Sequence, residues 1–217
     1  MSLPSRLLGA NPSIQVSTLL SGSLSTPSAK GAFTVGNFFS IATETIGGSS
    51  SSAVTFNNVP STYTHLQIRM ISTGTRADYA IGEINIQFNG DTGNNYAYHD
   101  FYGDGAAGTL YTSYGTTQSS IRQAPGTFGG TTGGNTRFGS AIIDIFDYSD
   151  SNKYTTVRGL SALDLNGTIN GLGGRVGFAS GSWRNTNTVT SITLNASGAS
   201  PFLQYSKFAL YGIKAAA

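Results

Sequence analysis

The stretch Tyr63-Thr64-His65-Leu66-Gln67-Ile68-Arg69-Met70 alternates apolar and polar side chains without a break. Leu66, Ile68 and Met70 fall on one side, and His65, Gln67 and Arg69 on the other. Successive side chains of an extended chain point to opposite faces, so this period of two is the mark of a half-buried β-strand. Gly82 to Phe88 repeats it, with Ile84, Ile86 and Phe88 facing inward and Glu83, Asn85 and Gln87 facing outward. The 3.6-residue period of an amphipathic helix does not occur with comparable length anywhere in the chain. Further strand candidates are 39–46, 53–59, 96–102, 117–123, 140–146, 154–160, 175–183, 188–194 and 207–213. Turn-forming groups separate them, among them Asn57-Asn58-Val59-Pro60, Asn89-Gly90-Asp91, Asp150-Ser151-Asn152, Asn166-Gly167 and Ser197-Gly198. About eleven short strands without a long helix predict an all-β fold, an antiparallel β-sandwich of jelly-roll-like kind.

Residues 1–36 break the pattern. They hold no aromatic before Phe33, and Pro4, Pro12 and Pro27 oppose helix. Isolated apolar side chains (Leu7, Leu8, Ile14, Val16, Leu19, Leu20) stand between Ser, Thr, Pro and Gly. Such a segment cannot build a core by itself. It is expected to be an extended N-terminal anchoring arm, packing on a neighbouring subunit or partner, ahead of a β-sandwich domain over 37–217.

Composition excludes several functions. Charged residues are 10% of the chain, yet 38% is hydrophobic, with 11 Tyr and 12 Phe, so the chain should fold and draw its polarity from hydroxyls and amides. The net charge is +2 and no Lys/Arg run occurs, which removes the electrostatic footprint of a nucleic-acid binder. The absence of cysteine excludes disulfide frameworks, thiolate catalysis and Cys-ligated zinc. No apolar run approaches a transmembrane span, and the first twenty residues lack the apolar stretch of a secretory signal, so synthesis in a cytoplasm and no membrane insertion are expected.

The chemical motifs are weak. Asp91-Thr92-Gly93 matches the triplet of aspartic proteases, but its frame of Phe88-Asn89-Gly90 and Asn94-Asn95 is that of a hairpin turn between two strands. Asp91, Asn94, Asn95, Asp100 and Asp104 offer oxygen donors, as do Asp147, Asp150 and Asn152. Neither set has EF-hand spacing, and turns in which Asx side chains bond their own backbone explain both. His65 and His99 are too few for a His-rich metal site, and Gly-x-Ser-x-Gly is absent. Glu44, Glu83, Asp144, Asp147 and Asp164 read as strand-edge and turn acids rather than a glycosidase pair. No catalytic residue, metal or cofactor is therefore assigned. Trp183, the only tryptophan, is either a core plug or an interface anchor. Two glycine-rich segments, 103–115 and 124–137, are read as long loops carrying aromatic and hydroxyl side chains, the mixture used by adaptable binding loops. Their candidate binding residues are Tyr111, Tyr114, Phe128, Asn135 and Arg137.

Taken in order, residues 56–70, 86–105, 142–160, 180–194 and 208–214 resemble a β-rich domain of tailed-bacteriophage virion structural proteins, of the tail-fibre or host-recognition type. The resemblance covers roughly 54–214 and leaves out the N-terminal arm. It implies a non-enzymatic virion component, made in the host bacterial cytoplasm. Its arm would attach to other virion proteins, and its sandwich loops would meet a host-surface glycan. By analogy with phage appendages the chain would form a homo-oligomer, a trimer being the usual form. The alternative is a head decoration (cement) protein that clamps neighbouring capsid subunits.

Overall fold

The structure, a computed structural model, describes residues 37–214 apart from 49, 76–80, 105–109, 130–136, 170–171 and 198–199. The arm residues Leu7, Leu8, Ile14, Val16, Leu19 and Leu20 lie outside the described residues, as does Asn135.

Twelve strands follow one another without a helix among the described residues. They are β1 (Phe38–Thr45), β2 (Ala53–Phe56), β3 (His65–Ser72), β4 (Ile81–Phe88), β5 (Tyr96–Gly103) and β6 (Leu110–Gln118). The second half supplies β7 (Ile121–Gly129), β8 (Gly139–Phe146), β9 (Thr155–Ile169), β10 (Leu172–Trp183), β11 (Ile192–Ala196) and β12 (Lys207–Ile213). An eight-stranded sheet has the order β1-β12-β3-β8-β9-β10-β5-β6, and a four-stranded sheet the order β2-β11-β4-β7. Every pairing is antiparallel. The fold is the expected all-β sandwich.

The alternation in the sequence sets which face is buried. Leu66, Ile68 and Met70 of β3, Ile143 and Ile145 of β8, Val157 of β9 and Phe208 and Leu210 of β12 point into the core. Ile84, Ile86 and Phe88 of β4, Ile121 of β7 and Ile192 and Leu194 of β11 meet them from the smaller sheet. Each such side chain removed from water stabilises the fold by about 1.5–3 kcal/mol before chain entropy is counted. Where β10 passes Ile121 of β7, glycine is required. A Cβ on Gly181 of β10 would lie 2.5 Å from Ile121 Cγ2 and 2.8 Å from the Ala97 carbonyl oxygen.

Three sequence expectations change. Residues 117–123, read as one strand, are two: β6 ends at Gln118, Ser119 and Ser120 turn, and β7 enters the other sheet. Most of the described residues of the supposed loops 103–115 and 124–137 are also strand, because β6 begins at Leu110 and β7 runs to Gly129. The outward residues of β6 stay exposed, so the segment lacks the apolar alternation by which strands are recognised. Finally, Asn89 and Gly90 do form a tight turn, with φ of 53° and 67° and an Asp91 N–H bond to the Phe88 carbonyl. This turn does not close a hairpin, since β4 and β5 belong to different sheets. The chain crosses the sandwich there because Phe88 and Tyr96 are both fully buried and bury against each other.

Asp91 holds this crossing together. Its carboxylate accepts bonds from the Gly93 N–H at 2.8 Å, from Asn95 Nδ2 and from Trp183 Nε1 at 2.7 Å. The Trp183 bond is the main reason its carboxyl is held below the usual range; burial opposes this, and Asn95 and Gly93 assist. The Asp-Thr-Gly triplet is thus an Asx turn bolted to a core tryptophan. Trp183 is 1% exposed and packs on Phe88 and Tyr96, so it is a core plug. The Tyr96 hydroxyl donates to the Asp91 carbonyl oxygen at 3.0 Å and accepts from the Phe88 N–H. Burial pushes its pKa up to about 12. Asp150 makes a second Asx turn, accepting from the Asn152 N–H at 2.8 Å.

Candidate functional site

The face of the eight-stranded sheet turned away from the smaller sheet carries the chemistry. Antiparallel register lines up its outward side chains in rows that run across the strands. One row is polar: Gln67, Asp144, Arg158, Ser180, His99 and Tyr114, on β3, β8, β9, β10, β5 and β6. Beside it lies an apolar row: Ile142, Leu160, Phe178 and Phe101, ending on Thr112 of β6. With strands about 4.8 Å apart, the part of each row from β8 to β6 spans roughly 19 Å.

The polar row is organised by Asp144. It accepts from Gln67 Nε2 at 2.8 Å and from Arg158 at 2.7 Å, while Arg69 Nε donates to Gln67 Oε1. At the β5–β6 end the rings take over. His99 stacks on Tyr114 with centroids 5.9 Å apart and planes 15° apart, and Phe101 stacks on Phe178 at 5.8 Å. Between them runs an open groove of about 420 Å³ lined by His99, Phe101, Thr112, Tyr114, Phe178 and Ser180. Tyr114 is 71% exposed and Phe101 46%, while Leu160 and Ile142 extend the apolar strip along the sheet. A face of this kind offers flat rings at one end, hydroxyl and imidazole groups among them, and a charged pair farther along.

Behind the groove, on the inner side of β5, sits a buried charge cluster. Asp100 is 4% exposed, and among the described residues neither carboxylate oxygen has a hydrogen-bond partner. Arg122 Nε of β7 lies 3.9 Å away, and Arg122 itself is paired to Glu83 at 2.7 Å. Arg175 approaches Glu83 at 3.9 Å and lies over the Tyr102 ring at 4.1 Å. Burial raises the Asp100 pKa to about 6; Arg122 pulls it down, but not enough to offset the lost hydration.

The candidate residues read from the sequence do not form one site. Tyr111 and Tyr114 lie on β6, on opposite faces of the sheet rather than on a loop. Tyr114 faces the groove, whereas Tyr111 stacks on Tyr102 at 5.0 Å on the other side. Phe128 belongs to β7, in the smaller sheet, opposite Gly82. Arg137 is half-buried just before β8. Of the described candidates, Tyr114 alone joins the groove. The groove residues His99, Phe101 and Phe178 were not proposed as binding residues. The signal for the first two was present in Tyr96 to Tyr102, where reading alternate positions puts Ala97, His99 and Phe101 together on one side. Three of the five carboxylates weighed as catalytic are engaged in ion pairs: Asp144 with Arg158, Asp147 with Lys153 at 2.9 Å, and Glu83 with Arg122. Among the described residues, no group of three or more His, Asp or Glu is placed to hold a metal ion.

No protein family, curated protein or solved structure matches the chain.

Proposed function

We propose that this chain is a non-enzymatic structural component of a tailed-phage virion, tail-associated, which recognises a host-surface glycan on the outer face of its eight-stranded sheet. The sequence resemblance supplies the setting, with residues 1–36 as the attachment segment. The observation that carries the recognition role is the groove walled by the His99–Tyr114 and Phe101–Phe178 stacks. A pyranose has an apolar C–H face and a rim of hydroxyls. The aromatic faces suit the first, and Thr112, Ser180 and His99 suit the second. The adjoining polar row, with Asp144 and Arg158, would accompany a linear oligosaccharide lying across the strands.

The test is binding of the full chain to a glycan array and to host cells, with Tyr114→Ala beside it. Selective retention that falls about tenfold or more in the variant, at unchanged melting temperature, is the expected result. Equal binding by both proteins, or none to any glycan, sinks the glycan reading. A second reading, capsid decoration, draws on the apolar strip of Ile142, Leu160 and Val176, which suits a protein partner as well. Particles lacking the chain should then burst under milder heating.

A further inference from the structure

We infer that the free edge of β6 pairs with the β6 edge of a second copy of this chain, joining two sheets into one across a two-fold axis. This rests on the edges of the fold and is independent of the glycan reading. A strand at a sheet edge presents unpaired N–H and C=O groups, a template for another strand, and folds that stay apart guard such edges with short strands, bulges, charges or proline. The two sheets end on four strands: β1, β6, β2 and β7.

Three of the four are guarded. β2 has only four residues. β1 has a register irregularity between Ser40 and Ala42 and carries the exposed Glu44. β7 contains Pro125 and Arg122, and its pairing shifts between Gly82 and Ile84. The fourth is open. β6, Leu110-Tyr-Thr-Ser-Tyr-Gly-Thr-Thr-Gln118, has no charged residue and no proline in nine positions. Its register with β5 is regular from Leu110 to Gly115, and the irregularity there is confined to the Gln118 end. Among the described residues, no strand lies beyond it. Leu110 and Tyr114, both more than 60% exposed, flank that edge on the outer face.

The occupant follows from the same residues. A foreign partner is usually steered and selected by complementary charge, and this edge has none to offer. A copy of itself meets no like-charge opposition, and its Tyr and Thr side chains are good cross-strand neighbours. Antiparallel self-pairing needs only a two-fold axis, the commonest symmetry of soluble oligomers. An axis perpendicular to the sheet at Thr112 would set Thr112 opposite Thr112 and Leu110 opposite Tyr114 of the second copy, keeping outward residues opposite outward ones. Both outer faces would then look the same way, with a Tyr114 on each side of the seam. A three-fold assembly cannot arise from pairing one edge with itself.

The experiment is the mass of the full chain by light scattering over a concentration series, with Thr112→Lys and Thr112→Val compared. Thr112 is exposed, so both variants should keep the wild-type melting temperature. The wild type and Thr112→Val should run at twice the 22.5 kDa chain mass, and Thr112→Lys, which sets two lysines against each other, at 22.5 kDa. Hydrogen exchange read alongside should show the alternate amides of 110–115 that point away from β5 protected in the wild type and fast in Thr112→Lys. A monomeric wild type, a trimer, or an oligomer that survives Thr112→Lys overturns the proposal.

Discussion

Asp100→Asn should make this protein more stable at neutral pH, an unusual outcome for a change to a buried charged side chain. The carboxyl is almost fully buried, no group among the described residues bonds either oxygen, and its folded pKa of about 6 stands against an ordinary value of 3.8. That is a rise of about two units, worth about 3 kcal/mol of penalty on the ionised form. The nearby Arg122 is already included in that net figure, and it keeps its 2.7 Å partner Glu83 when Asp100 becomes neutral. The sign follows from proton counting. Between pH 4 and 6 the folded chain holds a proton on Asp100 that the unfolded chain has lost, so wild-type stability falls by up to about 1.4 kcal/mol per pH unit as the pH rises. Above pH 6 the penalty is complete, and below about pH 4 it vanishes. Urea unfolding of both proteins at pH 7.5 and pH 4.5 reads the difference directly. The variant should gain about 2–3 kcal/mol at pH 7.5 and well under half of that at pH 4.5. A variant that is less stable at pH 7.5, or a difference that ignores pH, would show that the ionised Asp100 earns more from Arg122 than burial takes away.

Two further changes probe the crossing between the sheets. Trp183→Phe keeps an aromatic in the core but deletes the 2.7 Å bond to Asp91, and should cost about 2–4 kcal/mol by denaturant unfolding. Because that bond is the main cause of the lowered Asp91 pKa, stability normally present above the ordinary carboxylate range and lost as pH falls through the lowered value should lose part of its acid dependence in the variant. Gly181→Ala places a methyl 2.5 Å from the buried Ile121 and should cost about 1–3 kcal/mol, seen as a lower melting temperature. A wild-type melting temperature would mean that β7 has room to move away from β10.

The sandwich was legible because burial on one face writes itself as alternation. β3 and β4 show inward Leu, Ile, Met or Phe at alternate positions, β8 adds inward Ala141, Ile143 and Ile145, and each is a strand where it was expected. β6 was not legible. Leu110, Thr112 and Tyr114 on its outer face are exposed and so is Tyr111 on the other, so no burial constraint imposes a pattern, and the Gly, Ser and Thr content imitates a loop. The Asn89-Gly90 turn was legible as a turn but not as a crossover. A two-residue turn reports only local backbone, whereas the destination of β5 is decided by Tyr96 and Trp183 packing on Phe88, contacts between residues distant in sequence.

The same distinction explains why the groove escaped a reading by segments. Its walls come from β5, β6 and β10, and the stack of Phe101 on Phe178 joins residues 77 positions apart (178 − 101), brought opposite by strand register alone. Alternation tells which face a residue takes, but not which strands are neighbours. The order β9-β10-β5-β6 makes that choice, and with it lines up His99 with Tyr114 and Phe101 with Phe178. One strand, β5, therefore carries two opposed requirements at adjacent positions. Its inner side must hold Asp100 in a dry cluster with Arg122, while its outer side keeps His99 and Phe101 open to water. A site built on paired strands needs no loop to position it, because the pleat and the register already fix each ring to its neighbour.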